Sequence, residues 1–172
     1  MKNNSTSKPT KMSAAERETI LTASGLRKLE EELDHLKTTR RKEVAERIKQ
    51  AKEFGDLSEN AEYDAARHEQ GLIEGRISEL EVKTRAAQVI DVSKLSGDDV
   101  KFGATVQLMD VDAGNRLTYQ LVGADESDIK AGLLSVTAPL GRALIGKAVG
   151  AFLEVSAPGG VKTYEVLKVE FK

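Results

Sequence analysis

With 172 residues, 40% of them hydrophobic, and a formal net charge of −2, the chain has apolar material for one sizeable core or two small domains. It lacks the cationic excess that holding bare nucleic acid requires. It has no cysteine, which excludes disulfides and thiolate metal sites and suits a reducing cytoplasm, and no apolar run approaches the ~20 residues of a membrane-spanning helix.

Residues 1–20 are polar and carry Lys2, Lys8, Lys11 and Arg17 without the apolar core of a secretory signal. They read as a mobile tail, with Met12 as an alternative start. Residues 21–88 read as an antiparallel helical hairpin, a two-helix coiled coil. Thr22 is suited to cap its first helix. Leu26, Leu29, Leu33 and Leu36 recur by three and four, the spacing of a narrow apolar seam, which continues less cleanly through Val44, Ile48 and Ala51. Ala66, Ile73, Ile77, Leu80 and Ala87 form a second series. Between the two lies Phe54-Gly55-Asp56-Leu57-Ser58, with the glycine where a helix ends, and so short a connection makes the helices antiparallel. About 30 residues per helix give a hairpin ~45 Å long. Gly71 and Gly75 predict close approach of the two backbones. An element this long and thin projects far from any core, so its turn is a probe able to enter a space closed to a domain.

Residues 89–172 hold most of the glycines and the aromatics Phe102, Tyr119, Phe152, Tyr164 and Phe171. Strands are predicted over 100–111, 117–123, 133–137, 151–156 and 161–171, separated by turn signals such as Asp112-Ala113-Gly114-Asn115. The last two flank Pro158-Gly159-Gly160 as a β-hairpin. Residues 139–146 read as a short helical turn closing one end of the sheet. The fold class is therefore α+β, a helical hairpin followed by a β-sheet domain with a short helix.

Chemistry concentrates at the hairpin's far end. Asp56 and Glu59, three residues apart, can share a hard cation such as Mg²⁺, weakly by themselves and better as half of a site completed by another protein. The same spacing is a capping box for the second helix, and spacing alone favours that reading. Phe54 and Tyr63 flank the turn and are expected to brace it, with stacking on an RNA base as the other use of such rings.

The run from Gly55 to Tyr63, followed by Ala65-Ala66-Arg67, Gln70-Gly71 and Glu74-Gly75-Arg76-Ile77, resembles the coiled-coil tip of the Gre family of bacterial transcript-cleavage factors. The likeness continues through Ala87-Gln88-Val89-Ile90-Asp91, residues 100–106, residues 122–126, residues 143–147 and Pro158-Gly159-Gly160, and covers the chain from about Leu21 onward. The resemblance implies an FKBP-like C-terminal domain, 89–172, that docks at the rim of the secondary channel of RNA polymerase while the hairpin enters the channel. Asp56 and Glu59 would then help hold a Mg²⁺ shared with the polymerase, which hydrolyses the 3′ end of its own backtracked RNA. Gly55, Ser58 and Asn60 would support the tip beside Phe54 and Tyr63. Asp125, Glu126 and Pro139 would belong to the docking surface. Lys52 and Arg67 occupy the positions of the family's RNA-contacting basic patch, although taken alone they are an ordinary solvated helix face. The family's Ser-Pro-Ile-Ala is here Ala138-Pro139-Leu140-Gly141, a lost hydroxyl that bears on docking and not on the tip.

The resemblance further implies a cytoplasmic, monomeric accessory factor rather than an enzyme, and the modest basic content of the hairpin favours short cleavage products. Prolyl isomerase activity is disfavoured because the chain has no tryptophan. A channel-binding inhibitor of the same shape is the main alternative, disfavoured by the presence of both tip acids. His35 and His68 lie ~17 Å apart along the hairpin, cannot share a metal, and read as surface residues.

Overall fold

A computed structural model describes residues 20–56 and 60–172. It shows an α+β chain built from an N-terminal helical hairpin and a C-terminal sheet domain. The chain enters through a three-residue strand, β1 (Ile20–Thr22), and turns into the first arm of the hairpin. Thr22 caps that arm as its residue type suggests: its side-chain oxygen accepts from the Gly25 amide at 3.0 Å.

The first arm is one continuous helical path in three pieces: α1 (Ala23–His35), a π-helical segment (Leu36–Arg40) and α2 (Arg41–Glu53). The π segment explains the irregular seam. Apolar positions 26, 29, 33 and 36 keep alternating steps of three and four, but 44, 48 and 51 stand one residue later than that alternation allows. A π turn accommodates one extra residue per turn, so the seam is brought back to the same face. The second arm, α3 (Ala61–Ala86), returns antiparallel. Val44, Ile48, Ala66, Ile73 and Ile77 pack as one cluster, and Leu21, Leu29 and Leu80 as another nearer the base. Ion pairs flank the seam: Arg41 makes a two-pronged contact with Glu74 (2.8 and 2.7 Å), and Arg76 does the same with Glu32 (2.7 and 3.0 Å).

Gly71 and Gly75 do not mediate close approach. Both are exposed, and a Cβ built on either meets nothing within 4 Å. The small residues that bring the arms together are the buried Ala51 and Ala66.

At the base, β1 pairs in parallel with β2 (Gln88–Ile90), which the sequence reading did not anticipate. The sheet domain contains β3 (Thr105–Asp110), β4 (Asn115–Val122), β5 (Leu133–Ser135), α4 (Pro139–Leu144), β6 (Phe152–Ala157) and β7 (Gly160–Glu170), in the order β5-β4-β3-β7-β6. All pairings are antiparallel except β4 with β5. Burial alternates along β3, and Val106 and Leu108 join Leu121, Leu134, Leu144, Leu153 and Val166 in the core.

The strand predicted from residue 100 begins only at Thr105. Residues 100–104 form a turn: Gly103 sits at φ +83°, a left-handed conformation, and donates its amide to the Leu121 carbonyl at 2.7 Å. The β6–β7 hairpin across Pro158-Gly159 is as predicted. In α4, Pro139 occupies the first turn, and Ala138 in the cap position supplies no side-chain hydrogen bond. Gly141 lies so close to β5 that a Cβ there would stand 2.0 Å from the Ser135 carbonyl oxygen. Among the described residues no helix is long and apolar enough to cross a membrane.

Candidate functional site

The far end of the hairpin is shaped by backbone chemistry. α2 stops at Glu53, where the Phe54 amide bonds back to the Ala51 carbonyl at 3.3 Å. Gly55 follows at φ +113°, which a side chain would resist, and it turns the chain away from the helix axis. Asp56 is exposed immediately beyond it. Leu57, Ser58 and Glu59 lie outside the described residues, so the roles assigned to Ser58 and Glu59 are not placed.

Asn60 organises the return. Its Oδ1 accepts from the Tyr63 amide at 3.1 Å, capping α3, and its Nδ2 donates to the Ala51 carbonyl at 2.6 Å, tying the end of one arm to the start of the other. This corrects the capping-box reading: the cap of the second helix is Asn60, four residues after Asp56. Glu62 and Asp64 in the first turn of α3 meet the positive end of the helix dipole.

The two flanking aromatics part company. Tyr63 is half-buried against the Val44–Ile48–Ala66 cluster and braces the tip. Phe54 is 87% exposed and joins no buried cluster among the described residues, contrary to the expectation that it braces the turn. Its position follows from the non-helical Phe54 backbone (φ −84°, ψ 4°), which takes the ring off the seam.

Lys52 and Arg67 are both exposed. Arg67 donates to Gln70 at 2.7 Å, and among the described residues no ion pair engages Lys52. Their basic neighbours differ. Arg47 is occupied by Glu62 (3.2 Å) and Glu69, Arg40 by Glu43 and Glu69, and the hydrogen bonds that Arg47 donates to Glu62 and Glu69 raise its pKa. The positive charge left to meet an anion near the tip thus includes Lys52 and Arg67. His35 and His68 are exposed, as expected, and among the described residues no three metal-ligating side chains cluster.

Asp125 and Glu126, matched to docking by the resemblance, engage the base of the hairpin through their side chains. Both lie in or beside a 3₁₀ turn (Ala124–Glu126) that faces the hairpin base. The Asp125 side chain is only 18% exposed and takes a 2.6 Å hydrogen bond from Lys83 of α3, whose pKa it raises. Glu126 accepts from the Thr22 amide at 3.0 Å, from the Thr22 hydroxyl, and from the Gly123 amide at 3.3 Å. Sequence reasoning missed these contacts because the partners are remote in the chain. Pro139, by contrast, is exposed at the start of α4.

The family model described as "Transcription elongation factor, N-terminal" matches residues 19–89, and that described as "Transcription elongation factor, GreA/GreB, C-term" matches residues 95–171. The chain is 55% identical over 152 residues to the transcription elongation factor GreA of Rickettsia prowazekii, a match covering 88% of this chain and 94% of that protein. Its likeness to the GreA of Rhodospirillum rubrum is 58% over 151 residues, covering 88% and 96%. Among solved structures, the GreA factor homolog 1 of Thermus thermophilus aligns with a TM-score of 0.40 at 28% identity, covering 88% of this chain and 97% of that one.

Proposed function

The chain belongs to the GreA/GreB family of transcription elongation factors, and from that premise we propose that it inserts its hairpin into the secondary channel of RNA polymerase and stimulates cleavage of backtracked RNA. The observation that carries this reading is the tip itself. An exposed acid, Asp56, stands at the end of a hairpin two helices thick, just before Asn60, which caps the returning helix. The protein acts as an accessory factor. It lends groups to a polymerase site and does not complete one itself.

The donor set fits a hard divalent cation. Asp56 and Glu59 would offer carboxylate oxygens, the ligands Mg²⁺ takes in small number while keeping several waters. Such a cation, shared with the polymerase, supplies charge stabilisation and an acidified water. The chain's own residues do the remaining work. Asn60 and Tyr63 hold the turn so that the acids reach the polymerase site in a fixed arrangement. Lys52 and Arg67 attract the phosphates of the displaced RNA 3′ segment, a charge interaction that salt weakens. Pro139 and the surface around α4 meet the channel rim.

A cleavage assay on stalled, backtracked polymerase tests the reading. Asp56→Asn and Glu59→Gln should each lower stimulated cleavage by about 100-fold, the order lost when a charge-stabilising group is removed. Binding to polymerase and thermal melting should stay close to those of the parent. Parent-level cleavage by both variants would remove the acids from the mechanism. Inhibition by the parent protein would favour the channel-plugging alternative.

A further inference from the structure

Two consecutive residues of the sheet domain grip the two arms of the hairpin, one each. Asp125 holds Lys83, near the end of α3, at 2.6 Å. Glu126 holds Thr22, the cap residue of α1, through both its amide and its hydroxyl. Thr22 is buried, and its hydroxyl oxygen also accepts from the Gly25 amide. The Glu126 carboxylate is therefore wired through a single hydroxyl to the first turn of the helix it supports. Charge-assisted hydrogen bonds of this kind are the shorter and stronger class.

Space has been cleared for this contact. A Cβ on Gly25 would lie 2.1 Å from the Glu126 carboxyl group, and a Cβ on Gly123 would lie 2.3 Å from the Ile20 carbonyl oxygen. Neither position tolerates a side chain without displacing the carboxylate or β1. A surface ion pair needs no such clearance.

We propose that Glu126, acting through Thr22 and seconded by the Asp125–Lys83 pair, is a positioning residue that fixes the angle of the hairpin on the sheet domain and so aims the tip. Two attachment points, one per arm, resist both tilt and rotation, whereas one would leave a pivot. The leverage is large. From Thr22 to Asp56 the arm extends ~50 Å at 1.5 Å per residue. A tilt of about 10° at the base would carry the tip ~9 Å, several times the length of a metal–oxygen bond. The inference rests on the proposed function only for what the aim is used for. The rigidity of the joint stands apart from it.

The chain has no cysteine, so single cysteines can be introduced for spin labels without background. Labels at His68→Cys on the hairpin and Ser156→Cys on the sheet domain, both exposed positions, report the inter-domain distance by pulsed electron resonance. The full-length parent should give one narrow distribution. Glu126→Ala and Thr22→Val should broaden it at least twofold, Gly25→Ala should do so by displacing the carboxylate, and Glu126→Gln, which keeps an acceptor, should broaden it least. Circular dichroism of each variant checks that the hairpin remains helical. An unchanged distribution in a folded Glu126→Ala protein would overturn the proposal.

On backtracked polymerase, Glu126→Ala should lower the maximal cleavage rate about tenfold while the concentration giving half-maximal effect moves less than threefold. Broadened distances with full cleavage would overturn the aiming role. Failure of the parent itself to stimulate cleavage would strike the proposed function and leave the distance result standing.

Discussion

Burial in the hairpin runs as a single file, with Val44, Ile48 and Ala51 facing Ala66, Ile73 and Ile77, and every other face is wet. In the sheet domain Val106, Leu108, Leu121, Leu134, Leu144, Leu153 and Val166, drawn from all five strands and α4, form one contiguous core. The hairpin makes up the difference at its edges and ends, with ion pairs along the seam, the Thr22 cap at the base and the Asn60 tie at the tip. Exposed pairs contribute little each. The contrast teaches that the sheet domain is stabilised by its interior, and that the hairpin depends on its two ends.

Large-to-small substitution should separate the regions most strongly. Leu108→Ala in the fully buried centre of β3 should cost about 3 kcal/mol. Hydrogen exchange should accelerate across β3, β4 and β7 and stay near parent rates in α2 and α3. Uniform acceleration would mean that the regions unfold as one unit, and the comparison would fail.

Asn60→Ala is the corresponding test of the hairpin's end. It removes the cap on Tyr63 and the tie to Ala51 together, a loss of ~1–2 kcal/mol. Faster exchange confined to the tip-proximal turns of α2 and α3 is expected. Asp56→Ala should disturb these amides less than Asn60→Ala does, and an equal effect would make Asp56 a structural cap as well.

Gly71→Ala and Gly75→Ala should each stabilise the hairpin by about 1 kcal/mol, since alanine is the better helix former and its methyl group meets nothing. Thermal melting of the helical signal would record the gain. A loss at either site would show that the backbones do approach there.

The smallest effect is electrostatic. Hydrogen bonds from Arg41, Lys83 and Lys37 hold the Glu74, Glu79 and Glu81 carboxyls below their ordinary values. For groups lowered in the native state, the unfolded chain takes up protons first. Their contribution is therefore complete above the unfolded carboxylate pKa and fades as pH falls through the native values. Acid titration should loosen α3 amides, and added salt should shrink that part because the pairs are exposed. In the sheet domain Asp110 is lowered chiefly by the Ala113 backbone amide, a hydrogen bond that salt does not screen. Equal salt sensitivity in both regions would erase this distinction.

The hairpin and the strand-rich domain were legible because apolar periodicity is a local signal. The π segment was present in the sequence as well, in the one-residue slip between Leu36 and Val44, but an irregular seam does not say how the backbone absorbs it. At the tip, the spacing of Asp56 and Glu59 suggested the cap of the second helix. The cap of α3 is instead Asn60, whose Oδ1 takes the Tyr63 amide, a choice the spacing does not make. Gly71 and Gly75 misled because a four-residue glycine spacing carries no information about which face of the helix it occupies. Asp125 and Glu126 were matched to docking by their place in a motif, whereas their carboxylates turn inward to Lys83 and Thr22.

The parallel pairing of Ile20–Thr22 with Gln88–Ile90 brings the two feet of the hairpin side by side and makes it an insert with adjoining ends. Its length is then a ruler with discrete graduations. Seven residues added to each arm on the tip side of the π segment would lengthen the reach by ~10 Å and keep the apolar file in phase. An addition of five to each arm would turn the file toward water. The distance from anchored base to acidic tip can therefore change only in whole steps, independently of the domain that carries it.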